Sequence, residues 1–234
     1  MKDSAPKSPP GATRELILEA ARILLRRLGG SQLTVVDIAR SLGMSHANVY
    51  RFFRSKSEIL DAIVDDWLSK LESFVEIISR RPGSAAARLE AVVVELHQIR
   101  RRKCVEDPEI FVAYRRVMDV RPDSVVRRKK MLLNVFKRLI DEGVRAGEFL
   151  PVDGLEAATL VEDATALFLH PLMNPTAAGA QADARARNVI RHLLKGLATS
   201  GRTKRNGTSA GPPGRLPDKK LRRALSLIRP KRRS

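Results

Sequence analysis

The sequence predicts an all-α protein, with a three-helix N-terminal domain of helix-turn-helix type and a larger helical domain behind it, about nine helices in all. Three observations lead there. Apolar residues recur at steps of three and four along most of residues 13–198, the period of a helix with one buried face, and no stretch alternates as a half-buried strand would. Glycines, prolines and capping side chains punctuate that pattern at intervals suited to helices. The stretch Thr34 to Glu58, TVVDIARSLGMSHANVYRFFRSKSE, parses without a gap as a short helix, a glycine turn, a second short helix and the start of a third.

Taken in order, residues 1–11 read as a disordered arm of Lys, Ser, Pro and Gly without periodicity. A helix over 13–28 turns Leu16, Ile17, Ala20, Ala21, Leu24 and Leu28 inward, and Gly29-Gly30 ends it. Its polar face offers Arg22 and Arg26 to phosphate. Thr34 caps the next helix with Asp37 as its reciprocal partner. Val35, Ile38, Ala39 and Leu42 share one face, and Gly43 stops the helix with a left-handed residue. Ser45 caps a second helix from His46 to about Phe52, with Val49 and Phe53 inward. Ser55 and Glu58 form a further capping pair. They open a long helix to about Arg80 whose inward residues are Ile59, Leu60, Ile63, Val64, Trp67, Leu68, Leu71, Phe74, Val75 and Ile78. Such a helix can serve two cores and act as a lever between them.

Pro82-Gly83 ends it. A helix over 84–102 follows, and Asp107-Pro108-Glu109 then starts another to about Val120, with a capping Asp and proline at the first position. After the break at Arg121-Pro122-Asp123 comes a helix to about Ala146. Gly147 to Asp153 turn the chain, and Asp153 with Glu156 caps a helix to about His170. Residues 171–179 form a loop, and a last helix spans about 181–197. The expected organisation is a disordered arm over 1–11, a DNA-binding domain over 12–56, an effector and dimerisation domain over 57–198, and a basic disordered tail over 199–234.

The net charge of +18 is unevenly placed. Residues 1–56 hold ten Lys and Arg against four acids, and residues 199–234 hold twelve against one, so the middle of the chain is near neutral. A charged head and tail around a neutral body point to a polyanionic partner. The single Cys104 excludes an internal disulfide and fits a reducing cytoplasm. The longest uncharged run, 164–182, carries Pro171, Asn174, Pro175 and Gln181 and does not read as a membrane span, so membrane contact is not expected of the helical body. No phosphate-cradling glycine loop, nucleophile elbow or other catalytic motif occurs, no His or Cys pair has zinc spacing, and no cofactor is expected. His97 and His170 read as structural.

The second short helix places short or polar side chains, His46, Ala47 and Asn48, at its outer end as base readers; Asn pairs with adenine and Ala meets a thymine methyl. Ser45, Tyr50, Arg51 and Lys56 suit phosphate. Lys56 adds a cation beside the amides of a helix start. Spacing by itself leaves a plain helical hairpin open.

The residues go further. Thr34-Val-Val-Asp-Ile-Ala-Arg-Ser-Leu-Gly, then Val49-Tyr50-Arg51-Phe52-Phe53, then Ser55-Lys56-Ser57-Glu58-Ile59-Leu60 resemble the N-terminal domain of tetracycline-repressor-type (TetR family) regulators. Phe52 departs from the pattern, where histidine is frequent. The resemblance implies DNA contacts from Thr34, Ser45, His46, Ala47, Asn48, Tyr50, Arg51 and Lys56 with double-stranded DNA. It implies a small-molecule effector held among the later helices. Trp67, Phe74, His97, Tyr114, Met118, Phe136 and Phe168 are candidates for that lining, each of which also reads as plain core. It further implies a homodimer through the last two helices, with Leu155, Ala158, Glu162, Ala166, Leu169, Ile190, Leu193, Leu194 and Leu197 at the interface, and hence a roughly palindromic operator.

The expectation is a sequence-specific transcriptional repressor released from DNA by its effector. A non-specific, architectural nucleic-acid binder driven by the tail is the alternative. The tail itself admits three readings: a solvated extension, a DNA-affinity arm, or a short basic amphipathic helix over 219–228 for an anionic membrane surface. A helical enzyme or lipid-binding protein is a third class, and it predicts function that survives loss of Tyr50 and Lys56.

Overall fold

The structure, a computed structural model, describes residues 10–120, 122–169 and 179–198. Among them are nine helices: α1 (Pro10–Gln32), α2 (Val35–Ser41), α3 (His46–Tyr50), α4 (Lys56–Ser79), α5 (Ala85–Glu106), α6 (Pro108–Val120), α7 (Pro122–Arg145), α8 (Gly154–Leu169) and α9 (Gly179–Leu197). The fold is all-α. The described residues add a single bridge between Phe149 and Ala198, with Leu150 N donating to Leu197 O at 2.8 Å. None of the described helices is long and apolar enough to cross a membrane. The expected tail and the loop over 171–178 lie outside the described residues, as does the arm up to residue 9; Pro10 and Gly11 are already helical.

Packing divides the chain into two compact units, Met1–Leu68 with Arg102–Pro122, and Ser69–Arg101 with Asp123–Ser234. The divisions fall inside α4 and α5. In the first unit α1 packs on α2 and α6, and α2 packs on α3. The α1 stripe is partly as expected: Ile17, Ala20 and Ala21 are buried, but Leu18 and Leu25 join them, whereas Leu16 is half exposed and Leu24 and Leu28 lie at the margin. Apolar residues stand on both flanks of α1, Ile23 among the exposed ones, so composition could not fix the phase. Gly29 breaks α1 as expected, with φ 79° and ψ 159°, a conformation essentially reserved to glycine. All ten inward residues expected of α4 are buried.

In the second unit α8 packs on α9, and the core holds Phe74, Ile78, Leu89, Val93, Phe136, Leu139, Val161 and Ile190. Arginine–carboxylate pairs join the helices at its margins: Arg138 to Glu76 at 2.9 Å, Arg88 to Glu142 at 2.8 Å, Arg101 to Asp183 at 3.1 Å, and Arg81 to Glu95. Arg138 holds the Glu76 carboxyl below its ordinary range. Asp153 caps α8 as expected, accepting from the amides of Leu155 and Glu156 at 2.8 Å each; those two bonds lower its carboxyl.

Candidate DNA-reading site

The site is built on a local frame that the sequence specifies. Thr34 stands in extended backbone before α2. Its hydroxyl accepts from Asp37 N at 3.1 Å and donates to the Asp37 carboxylate at 2.5 Å. Gly43, at φ 63°, turns the chain between α2 and α3; a side chain there would be strained whatever the room around it. Ser45 caps α3, accepting from Asn48 N at 3.3 Å. The helix is shorter than expected, ending at Tyr50, with Arg51 and Phe52 in the turn that follows. Ser55 accepts from Glu58 N at 3.1 Å, and Glu58 accepts from Arg54 N at 2.6 Å, closing the start of α4.

What holds α3 is the pair Val49 and Phe53, exposed by 0% and 1%. Losing an aromatic ring from such a position costs about 3–5 kcal/mol, far more than any single cap contributes. The Arg14 guanidinium lies 4.9 Å from the Phe53 ring centroid and covers it. With its inner face fixed, α3 presents Ser45, His46, Ala47, Tyr50 and Arg51 to solvent, and Thr34 and Arg54 flank them. This is a concentration of hydrogen-bond donors and small side chains on a rigid support, as groove reading requires.

Four expected contacts need qualification by geometry. Asn48 is half buried, and its amide lies 3.8 Å from Met44 Sδ, a weak acceptor that a base edge would readily replace. Lys56 Nζ donates to Ser31 O at 3.0 Å, tying the end of α1 to the start of α4; an ammonium has two further protons for a phosphate. Arg22 and Arg26 do not stand free for phosphate as their place on the α1 polar face suggested. Arg22 is bound to Asp66 at 2.7 Å and Arg26 grips Asp107 at 2.5 and 2.7 Å.

Asp107 is the group that sequence reasoning used only as a cap. Its carboxylate has no exposure and also accepts from Lys103 Nζ at 2.6 Å. Burial alone would raise its pKa, but the bonds from Arg26 and Lys103 overcome that and hold it below the ordinary carboxylate range. Burial lowers the Lys103 ammonium in turn. The signal was present, since Asp107-Pro108-Glu109 sits at a helix start, but a partner 81 residues away leaves no local pattern.

The residues expected to line an effector pocket are core. Trp67 and Tyr114 meet edge to face at 5.3 Å in one unit. In the other, His97 stands edge to face with Phe168 at 5.6 Å, its Nδ1 3.2 Å from Phe168 O, alongside buried Phe74 and Phe136. The Met118 side chain lies outside what is described. The set does not form one described cavity lining. Of the expected dimer residues, Ala158, Leu169, Ile190 and Leu194 are buried within the chain and belong to its own core, because α8 and α9 use those faces on each other. Leu155 is exposed, while Glu162, Ala166, Leu193 and Leu197 are marginal. The outward apolar residues of α8 are Leu155, Leu160 and Leu167, of which the last two were not anticipated. Cys104 is half buried, and its burial raises the thiol above its ordinary range. Among the described residues no cluster of three or more potential metal ligands occurs.

A helix-turn-helix with a buried inner face and an exposed, basic outer face defines a DNA-binding regulator. Residues 17–63 match the model described as bacterial regulatory proteins of the tetR family, and residues 85–190 match that of the tetracyclin repressor-like C-terminal domain. The chain belongs to the TetR family of transcriptional regulators. It is 28% identical over 144 residues to the uncharacterized HTH-type transcriptional regulator YfiR of Bacillus subtilis, covering 59% of this chain and 69% of that one. It is 32% identical over 84 residues to the nucleoid occlusion factor SlmA of Escherichia coli, a match spanning 36% of this chain and 42% of that protein. Among solved structures it resembles a TetR/AcrR family regulator from Thermobifida fusca, with TM-score 0.62 and 26% identity over 79% of this chain and 98% of the other. Both family models describe regulators of the tetracycline-repressor type, and no enzyme family is indicated.

Proposed function

We propose that the protein is a homodimeric repressor that binds a palindromic operator in the cytoplasm and is released by a small-molecule effector. The observation that carries this is the α3 surface: His46, Ala47, Tyr50 and Arg51 face solvent from a helix whose other side is locked by Val49 and Phe53. His46, Ala47 and Asn48 read base edges; Thr34, Ser45, Tyr50, Arg51 and Lys56 position the head on phosphates.

The outward faces of α8 and α9 support a two-fold dimer. α8 shows Leu155, Leu160 and Leu167 with Glu156 and Asp163, while α9 shows Arg185 and Lys195. Two such faces related by a two-fold axis set acid against base around an apolar centre. The family resemblance implies a small-molecule effector bound by the C-terminal domain. Its binding shifts the population toward a form whose two heads no longer fit one duplex, with α4 as the lever.

The test is selection of binding sites from random duplex DNA at near-physiological salt. The expected result is a palindromic consensus with half-sites about 34–36 Å apart, one helical turn. Failure to enrich any sequence would sink the repressor reading. It would favour the second one, an architectural nucleic-acid binder. That reading draws on the charge of residues 199–234 and on the partial likeness to SlmA, a nucleoid occlusion factor.

A further inference from the structure

The DNA-reading head is held by residues that lie outside the segment matched to the family's N-terminal model. α1 ends against the corner between α5 and α6. There the Asp107 carboxylate, without exposure, receives Arg26 Nε at 2.5 Å, Arg26 Nη2 at 2.7 Å and Lys103 Nζ at 2.6 Å. Two residues on, Glu109 Oε2 accepts from Gly30 N at 2.9 Å. Gly30 follows the break at Gly29, where an added Cβ would sit 3.5 Å from the same Glu109 carboxylate. The next residue, Ser31, gives its carbonyl to Lys56 Nζ at 3.0 Å, and Thr34 then caps α2. These polar contacts thus fall one after another along the chain from Arg26 to Thr34, at the end of α1 and the start of the helix-turn-helix.

Stability alone does not account for the cluster. Replacing a buried ion pair by apolar groups of similar volume is often neutral or stabilising, because desolvation consumes the Coulomb gain. What the ions supply is direction. A two-pronged guanidinium–carboxylate contact fixes rotation and register, whereas apolar contacts allow sliding. We infer that Asp107 and Glu109 are positioning residues for DNA reading: they set the end of α1, and so the approach of α2 and α3, from the α5–α6 corner within the same unit. α5 carries Lys103 in its last turn.

The inference rests on the reading of α2 and α3 as the DNA-reading element, and its test keeps the two apart. In the full-length protein, amide hydrogen exchange and thermal unfolding are measured without DNA for Asp107→Asn and Arg26→Lys. Affinity for the selected site is measured beside them. Asp107→Asn is expected to quicken exchange over residues 31–54 by about tenfold while α8 and α9 keep their protection. Site affinity should fall about tenfold, a coupling of ordinary size. Arg26→Lys, which keeps the charge and loses the fork, should move both in the same direction by less. Exchange that rises evenly along the chain, or does not rise over 31–54, overturns the inference. Should Asp107→Asn fail to fold, Arg26→Lys decides by the same two outcomes. If no site is ever selected, the repressor reading falls while the exchange result still stands.

Discussion

Arginines show at the residue scale where local reading stops. On sequence, Arg22, Arg26 and Arg51 are equivalent cations in a basic N-terminal region. In the folded chain the first two are spent on Asp66 and Asp107, 44 and 81 residues away, and Arg51 is exposed in the turn after α3. Capping residues were legible because their partners lie three residues along: Thr34 with Asp37, Ser45 with Asn48, Ser55 with Glu58 and Asp153 with Glu156 all form the bonds their spacing implies. Ion pairs between helices were not legible, since nothing local marks them. The distinction has a measurable consequence. Arg51→Ala should weaken binding to all sequences alike and reduce the slope of log affinity against log salt by about 0.9 per head, the share of a single neutralised phosphate. Arg22→Ala should leave that slope unchanged and lower the melting temperature, because its partner is Asp66 within the same unit. Salt titrations of the two variants, side by side, decide which cations meet DNA. Equal slopes for both would return Arg22 to the phosphate-facing set.

Periodicity fared differently from one helix to another. It found every inward residue of α4, where the apolar stripe is narrow and the other face is charged. It found only part of the buried stripe of α1, whose outer face also carries Leu16 and Ile23, and it misjudged which faces of α8 and α9 look outward. The reason is that α8 is apolar nearly all round: Ala158 and Leu169 turn to α9 and the core, and Leu160 and Leu167 turn away. A sequence pattern reports that a helix has two apolar faces, and only packing says which one the chain keeps for itself. The exposed face is the one proposed above for a second copy. Leu160→Glu should therefore give a monomer of unchanged helix content, read by sedimentation and circular dichroism, with loss of affinity for a two-half-site operator. Ala158→Glu, at a position with 0% exposure, should instead unfold the chain, because it buries an unpaired charge. A Leu160→Glu protein that stays dimeric would place the interface on another face.

Across the whole molecule, the pattern of charge was the most legible feature and the least explained by the folded units. The described helices form two compact units whose ion pairs are largely internal, so the cations of α1, α5 and α7 are mostly matched by carboxylates nearby. The net excess sits on residues 1–56, the α3 region among them, and on residues 199–234, where twelve Lys and Arg face one acid. These two contributions to DNA binding differ in kind. Base contacts from a rigid helix select a sequence, whereas lysines and arginines near phosphates add affinity by releasing counterions and select nothing. A chain ending at Ala198 should therefore recover the same consensus as the full chain, with weaker binding at low salt and a salt slope smaller by several units per dimer, about 0.9 for each phosphate no longer neutralised. As salt rises, the two affinities should converge, since the counterion term fades while the hydrogen bonds and apolar contacts at base edges persist. Parallel salt titrations on the selected site and on a scrambled duplex measure both terms. If both chains bind the two duplexes equally, sequence selection is absent, and if only the full chain binds at all, the basic segment carries the attachment. If only the shortened chain loses its preference, the tail itself takes part in reading.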